Sequence, residues 1–285
     1  MTSAEVAEVV AFIDAHRTCR SGGLRWGVEP ICQVLEIAPT TYWSAKTRPP
    51  CARKIRDAEL GPAIEKIWTD NYSVYGRRKL AKAVRRAGLD VGRDQVARLM
   101  REARISGLMP KRRGKTTIRV PGVRVADDLL LREFRADEPN RVWSADITYL
   151  RTWEGWVYLA AVQDLYSRRI VGWSMADHMR AELVVDALKM AVHRRQPEKG
   201  LIHHSDQGSQ YVALAFGQFA RANGISQSMG QVGSAYDNSV AETFFATLKK
   251  ELVYRRSWQT RNEIRTEVFE YIEAFYNRQR RHSYL

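Results

Sequence analysis

After Pro139 the chain carries three runs rich in Val, Ile, Trp and Tyr, over 141–150, 156–165 and 169–175. Only Arg151-Thr-Trp-Glu-Gly and a short Tyr166-Ser-Arg turn separate them. A parallel pair needs a crossover of roughly a dozen residues, so connections this short make the three runs an antiparallel meander. The pattern then alternates. Apolar periodicity predicts a helix over about 180–194, a strand over 201–205, a helix over 209–222, a strand over 225–229 and a helix over 238–252. Such an order gives an α/β fold, a mixed five-stranded sheet flanked by helices. A last helix, 261–279, places Ile264, Val268, Ile272 and Phe275 on one face.

Upstream the pattern is all-helical. Helices are expected over 59–69, 76–87 and 93–103, with Gly88-Leu-Asp-Val-Gly breaking the chain between the last two. A basic helix, a short Gly-containing turn and another helix form the helix-turn-helix pattern; a plain bundle with a solvated basic face is the alternative. The expected organisation is an N-terminal helical segment of unclear role (1–58), a helix-turn-helix DNA-binding domain (59–108), a basic linker (109–138) and an α/β domain (139–285). Thr47-Arg-Pro-Pro-Cys-Ala-Arg-Lys reads as a linker, since consecutive prolines break helix and ladder alike.

Charge divides along the same line. The net charge is +14; residues 1–135 hold 27 Lys+Arg against 15 Asp+Glu, and the remainder 19 against 17. The first half is a polyanion binder by charge. Candidate contacts to double-stranded DNA are Arg77, Arg78 and Lys79 in one helix, Arg93 at the start of the next, and Lys111, Arg112 and Arg113 in the linker. Three cysteines without a Cys-x-x-Cys pair argue against a disulfide framework and for reduced thiols. The acidic start lacks a signal-peptide layout, and no apolar run approaches the ~18 residues of a membrane span. A soluble cytoplasmic protein with no membrane partner is expected.

Three carboxylates fall at telling places: Asp146 in the first strand, Asp206 at the end of the fourth, and Glu242 in the helix after the fifth, with 35 residues between Asp206 and Glu242. Phosphodiester chemistry needs charge neutralised on phosphate and an activated oxygen nucleophile. Two Mg²⁺ ions roughly 3.5–4 Å apart meet both needs, and Mg²⁺ prefers a few hard carboxylate oxygens. The ligands would also suit Mn²⁺. Asp146, Asp206 and Glu242 are therefore the candidate catalytic and metal-binding residues. His203 and His204 invite a zinc reading, but adjacent strand residues point to opposite faces and no partner spacing supports it. Asp164 is a candidate fourth acid but is read first as the cap of the Tyr166-Ser-Arg turn, and Asp237 as a helix cap. Lys249, two helical turns beyond Glu242, faces the same side and is a candidate phosphate contact.

Several motifs carry a resemblance: Trp143-Ser-Ala-Asp146-Ile-Thr-Tyr, His204-Ser-Asp206-Gln-Gly-Ser-Gln-Tyr211, Gly233-Ser-Ala-Tyr-Asp-Asn-Ser-Val-Ala-Glu242-Thr and Tyr276-Asn-Arg-Gln-Arg-Arg-His-Ser. The stretch from about Asn140 to Leu285 resembles the retroviral-integrase-type catalytic core. More narrowly, it resembles the transposases encoded by the second reading frame of a large bacterial insertion-sequence family. Tyr75-Gly-Arg-Arg-Lys and Val96-Ala-Arg-Leu-Met match the helix-turn-helix segment such proteins carry.

The resemblance implies a ribonuclease-H-like fold and a DDE mechanism, with Asp146, Asp206 and Glu242 binding two Mg²⁺. It also implies homo-oligomers acting on terminal inverted repeats and target DNA in the bacterial nucleoid, and an upstream-frame protein as fusion partner. Relatives generally continue a short way beyond the segment that here ends at Leu285. Two other readings stand beside a transposase. One is a nuclease or resolvase of the same fold that cuts without strand transfer; the other is a non-enzymatic DNA-binding regulator.

Overall fold

The computed structural model describes residues 3–108, 129–130, 136–230 and 239–282. The chain forms two compact units, Met1–Ala63 and Ile64–Leu285. In the first, α1 (Ser3–His16), a two-residue hairpin β1–β2 (Arg20–Ser21, Leu24–Arg25), α2 (Val28–Val34) and α3 (Pro39–Thr47) enclose a small core of Ile13, Ile31, Cys32 and Tyr42. The Tyr42 hydroxyl donates to Asp14 Oδ1 at 2.7 Å, and Lys46 Nζ donates to Oδ2 at 2.8 Å. Those two bonds, Lys46's first, hold the Asp14 carboxyl below its usual range. All three cysteines are free thiols.

The expected linker is shorter than the sequence suggests. Pro49 and Pro50 do follow the end of α3, but α4 begins at Ala52 and runs to Asp70 through Pro62. Residues such as Ala52, Arg53, Lys54 and Glu59 are good helix formers, and one missing N–H does not outweigh the turns on either side.

In the second unit α5 (Arg77–Arg86) and α6 (Arg93–Glu102) pack through Leu80, Val84, Val96 and Leu99, which are all buried. Gly88, at φ +85°, ends α5 in a left-handed turn. Its N–H donates to Arg85 O and that of Leu89 to Val84 O, the paired bonds of a Schellman cap.

The sheet comprises β3 (Val142–Thr152), β4 (Gly155–Asp164), β5 (Ile170–Ala176), β6 (Ile202–Ser205) and β7 (Ser226–Met229), in the order β5-β4-β3-β6-β7. The first three strands are the antiparallel meander, and β6 and β7 add in parallel on the other side of β3. This is the ribonuclease-H-like arrangement the resemblance implies. On one face lie α7 (Ala181–Arg195), α8 (Ser209–Val212) and α9 (Leu214–Ala222), over Trp143, Ala145, Val162 and Val171. Gly172 is the point of closest approach: a Cβ there would sit 2.2 Å from Ala187 O and 2.6 Å from Ala191 N. α10 (Ser239–Glu251) packs against β3, and α11 (Arg261–Glu270) packs against β4.

Two expected helices are interrupted. The 209–222 helix breaks at Ala213, whose ψ of 137° is extended. The C-terminal helix widens into a π-helix over Tyr271–Tyr276, with Asn277 N–H donating five residues back to Ile272 O. The wider turn buries Tyr271, Ile272, Phe275 and Tyr276 together. Asn277 then ties the end of the chain to the sheet edge, accepting from Ile170 N–H and donating to its carbonyl, both at 2.9 Å.

Candidate active site

The parallel ladder of β3 with β6 sets Ser144 opposite His204, and its last β3 partner is Ser144. Asp146 lies two residues further along β3, on the face of Ser144 because strand side chains alternate. Asp206 follows the last residue of β6, Ser205, at the end of the neighbouring strand. α10 packs against β3 and carries Glu242 in its first turn.

The electrostatics register this convergence. The Asp146 carboxyl is pushed up to about 7, by burial first, then by the charge of Asp206, with Glu242 adding to it. Lys249 and the Ile147 N–H, which donates to Asp146 Oδ1 at 2.7 Å, act in the opposite direction. Asp206 is exposed as a residue, yet partial burial of its carboxyl raises it, against the Gly208 N–H donated to Oδ1 at 3.1 Å. Lys249 Nζ lies 4.9 Å from the ring centroid of Tyr149, an exposed aromatic three residues beyond Asp146 on β3.

Tyr211 was not singled out by its chemistry in the sequence. Its hydroxyl is buried and, among the described residues, has no hydrogen-bond partner. Burial raises it well above the usual phenol range, and the charges of Asp146 and Asp206 raise it further. Its five-residue distance from Asp206 was the available signal. An excess of hard carboxylate oxygens over an unsatisfied phenol fits a divalent cation in donor chemistry. Among the described residues no three His, Cys, Asp or Glu side chains already form a ligand cluster.

The neighbouring polar residues have structural work. Asp164 is fully buried and accepts from Asn140 N–H and Ser167 N–H, both at 3.0 Å, and from the Ser167 hydroxyl at 2.5 Å. It closes the turn as expected. His203 and His204 point apart, His203 against Phe216 and Tyr211, His204 to Ser228 Oγ at 2.9 Å. Burial pushes His203 down to about 4, leaving a neutral ring in the core.

The candidate DNA contacts separate into three places. Arg77, Arg78 and Lys79 line a cleft facing α10. Arg93 starts α6 beside Asp94, 3.7 Å away and exposed. Lys111, Arg112 and Arg113 lie outside the described residues.

Residues 136–235 match the integrase core domain family, residues 242–285 a second integrase core family, and residues 54–113 an HTH-like domain. The chain is 37% identical to the transposase for insertion sequence element IS629 of Shigella sonnei, over 89% of this chain and 87% of that one. The chain belongs to the insertion-sequence transposases. This transposase is also 34% identical to transposase InsF for insertion sequence IS3A of Escherichia coli strain K12, over 96% of its own length and 93% of the relative's. Among solved structures it is similar to the HTLV-2 integrase catalytic core domain in complex with magnesium. That likeness has a TM-score of 0.40 and 18% identity, covering 52% of this chain and 94% of the other. No helix among the described residues is long and apolar enough to cross a membrane.

Proposed function

We propose that this transposase cuts and joins DNA strands at an active site made of Asp146, Asp206 and Glu242, which together hold two Mg²⁺ ions. The observation that carries the reading is the state of Asp146: burial and two further carboxylates push it up to about 7, a configuration that a bound divalent cation relieves. When bound, two such ions supply charge neutralisation on the phosphate and activation of an oxygen nucleophile; Mn²⁺ has the same ligand preferences. The chain's own residues set the geometry. In this reading Asp146 on β3 and Asp206 just after β6, the strand that pairs with β3 in parallel, supply two acids, Glu242 on α10 the third, and Lys249 a cation for the phosphate of the strand being processed.

The substrate in this reading is double-stranded DNA, first the element's terminal inverted repeat and then a target. A homo-oligomer on paired ends, with an upstream-frame protein as fusion partner, completes it. The test is strand joining in Mg²⁺ of a labelled duplex copied from the DNA flanking this reading frame, beside Glu242→Gln. Joined product from the wild type alone supports the assignment. Cleavage without joining makes the protein a nuclease, and joining by Glu242→Gln removes Glu242 from the site.

A further inference from the structure

A cleft of about 590 Å³ opens between α5 and α10. Arg77, Arg78 and Lys79 form one wall, and Thr243, Thr247 and Lys250 the other. Arg280 also lines it, so five cationic side chains face one lining carboxylate, Glu251. That carboxylate is already engaged. Arg280 donates to it twice, at 2.7 and 2.8 Å, and the Tyr271 hydroxyl once, at 2.7 Å. Four cations are left with no balancing acid among the lining residues.

The cost of that crowding is visible. Burial pushes both Lys79 and Lys250 below the usual lysine range, and the charge of Arg280 acts in the same direction on each. Cations gathered this way, Lys79 and Lys250 half-buried and Arg77 and Arg78 exposed, are stabilised when an anion with several acceptor oxygens enters. Thr247 on the opposite wall adds a hydroxyl.

We propose that this cleft seats a backbone phosphate of the DNA strand that leaves the active site, so that α5 and α10 grip one continuous strand. The identity of that strand rests on the transposase reading above. Thr243, Thr247 and Lys250 recur at helical spacing, one residue round α10 from the stripe that carries Glu242 and Lys249. Lys250 stands eight residues beyond Glu242, about 12 Å along the helix axis. That span corresponds to about three to four base steps at 3.4 Å each. The basic end of α5 is thus a backbone clamp beside the catalytic helix, which leaves base recognition to other surfaces.

The test uses the full chain and a labelled duplex copied from the flanking DNA, with affinity measured across a series of salt concentrations. Arg78→Gln and Lys250→Gln each lower the log–log salt slope by about 0.9, one phosphate contact apiece, while Lys250→Arg keeps it. Arg78 is exposed, so its replacement leaves the fold intact even if loss of the Lys250 bond to Leu108 O disturbs the 106–108 segment. Lys189→Gln, an exposed lysine on α7, is the control for general charge. Unchanged slopes in both cleft variants, or an equal fall in the control, overturn the proposal. A second arm measures thermal stabilisation by inorganic phosphate. Stabilisation lost in Arg78→Gln with the DNA slope unchanged would make the cleft a free-phosphate site and overturn the DNA assignment. Wild-type strand joining is read separately: a reduced slope supports the cleft whether or not ends are joined. Joined product with unchanged slopes removes the cleft and leaves the transposase reading standing.

Discussion

Replacing Asp146 by Asn removes a negative charge from a place where burial and two other carboxylates oppose it, while keeping an oxygen to accept the Ile147 N–H. A carboxyl that titrates near 7 in the folded chain and near 3.8 when exposed binds its proton more tightly when folded. The wild type therefore loses stability as pH rises from about 4 through 7, because ionisation favours the unfolded chain. Each pH unit is worth about 1.36 kcal/mol, which sets a ceiling of about 4 kcal/mol at pH 8. Partial solvent access to Asp146 lowers this to about 2–4 kcal/mol. In chelator, Asp146→Asn is expected to exceed the wild type by that amount at pH 8 and by about 1–2 kcal/mol at pH 5. Urea unfolding followed by tryptophan fluorescence measures it, since Trp143 is buried three residues away on the same strand. Adding Mg²⁺ narrows the gap by stabilising the wild type alone. A gap that does not change with pH, or a variant less stable than the wild type at pH 8, would refute the reasoning.

Glu251→Gln leaves Arg280 buried without its acid, and a loss of about 3–5 kcal/mol is expected, read from the denaturation midpoint. A loss under about 1 kcal/mol would show that the pair is solvated in solution. Gly172→Ala forces a methyl group into the backbone of α7, which is expected to destabilise by about 1–3 kcal/mol or more. A melting temperature equal to that of the wild type would mean that α7 stands further from β5.

The sheet was legible because period-two runs and short turns admit few arrangements, and β3 to β7 fall within a residue or two of the expected strands. The placement of Asp146 in β3 and of Glu242 in α10 was legible because each sits in a local pattern that fixes its element. What escaped depends on contacts between distant residues. Glu251 and Arg280 are 29 residues apart, and nothing in Arg278-Gln-Arg-Arg marks which arginine turns inward. The break at Ala213 has no Gly or Pro to announce it, and the π-helix keeps the same apolar residues an α-helix would use. The cleft that Lys250 shares with Arg77, Arg78 and Lys79 exists only once the fold sets α5 against α10.

The alternation that fixes the facing of Asp146 on β3 has a consequence for how this protein can vary. One residue inserted between Ser144 and Asp146 would turn the acid to the opposite side of the sheet, and no nearby loop could restore it without undoing the pairing of Ser144 with His204. Two inserted residues would keep the side but carry it about 7 Å away. Glu242 follows a different arithmetic, since a helix regains its facing about every 3.6 residues. The spacing from Ser144 to Asp146 is therefore held to a period of two, whereas the position of Glu242 within α10 answers to a period of about 3.6.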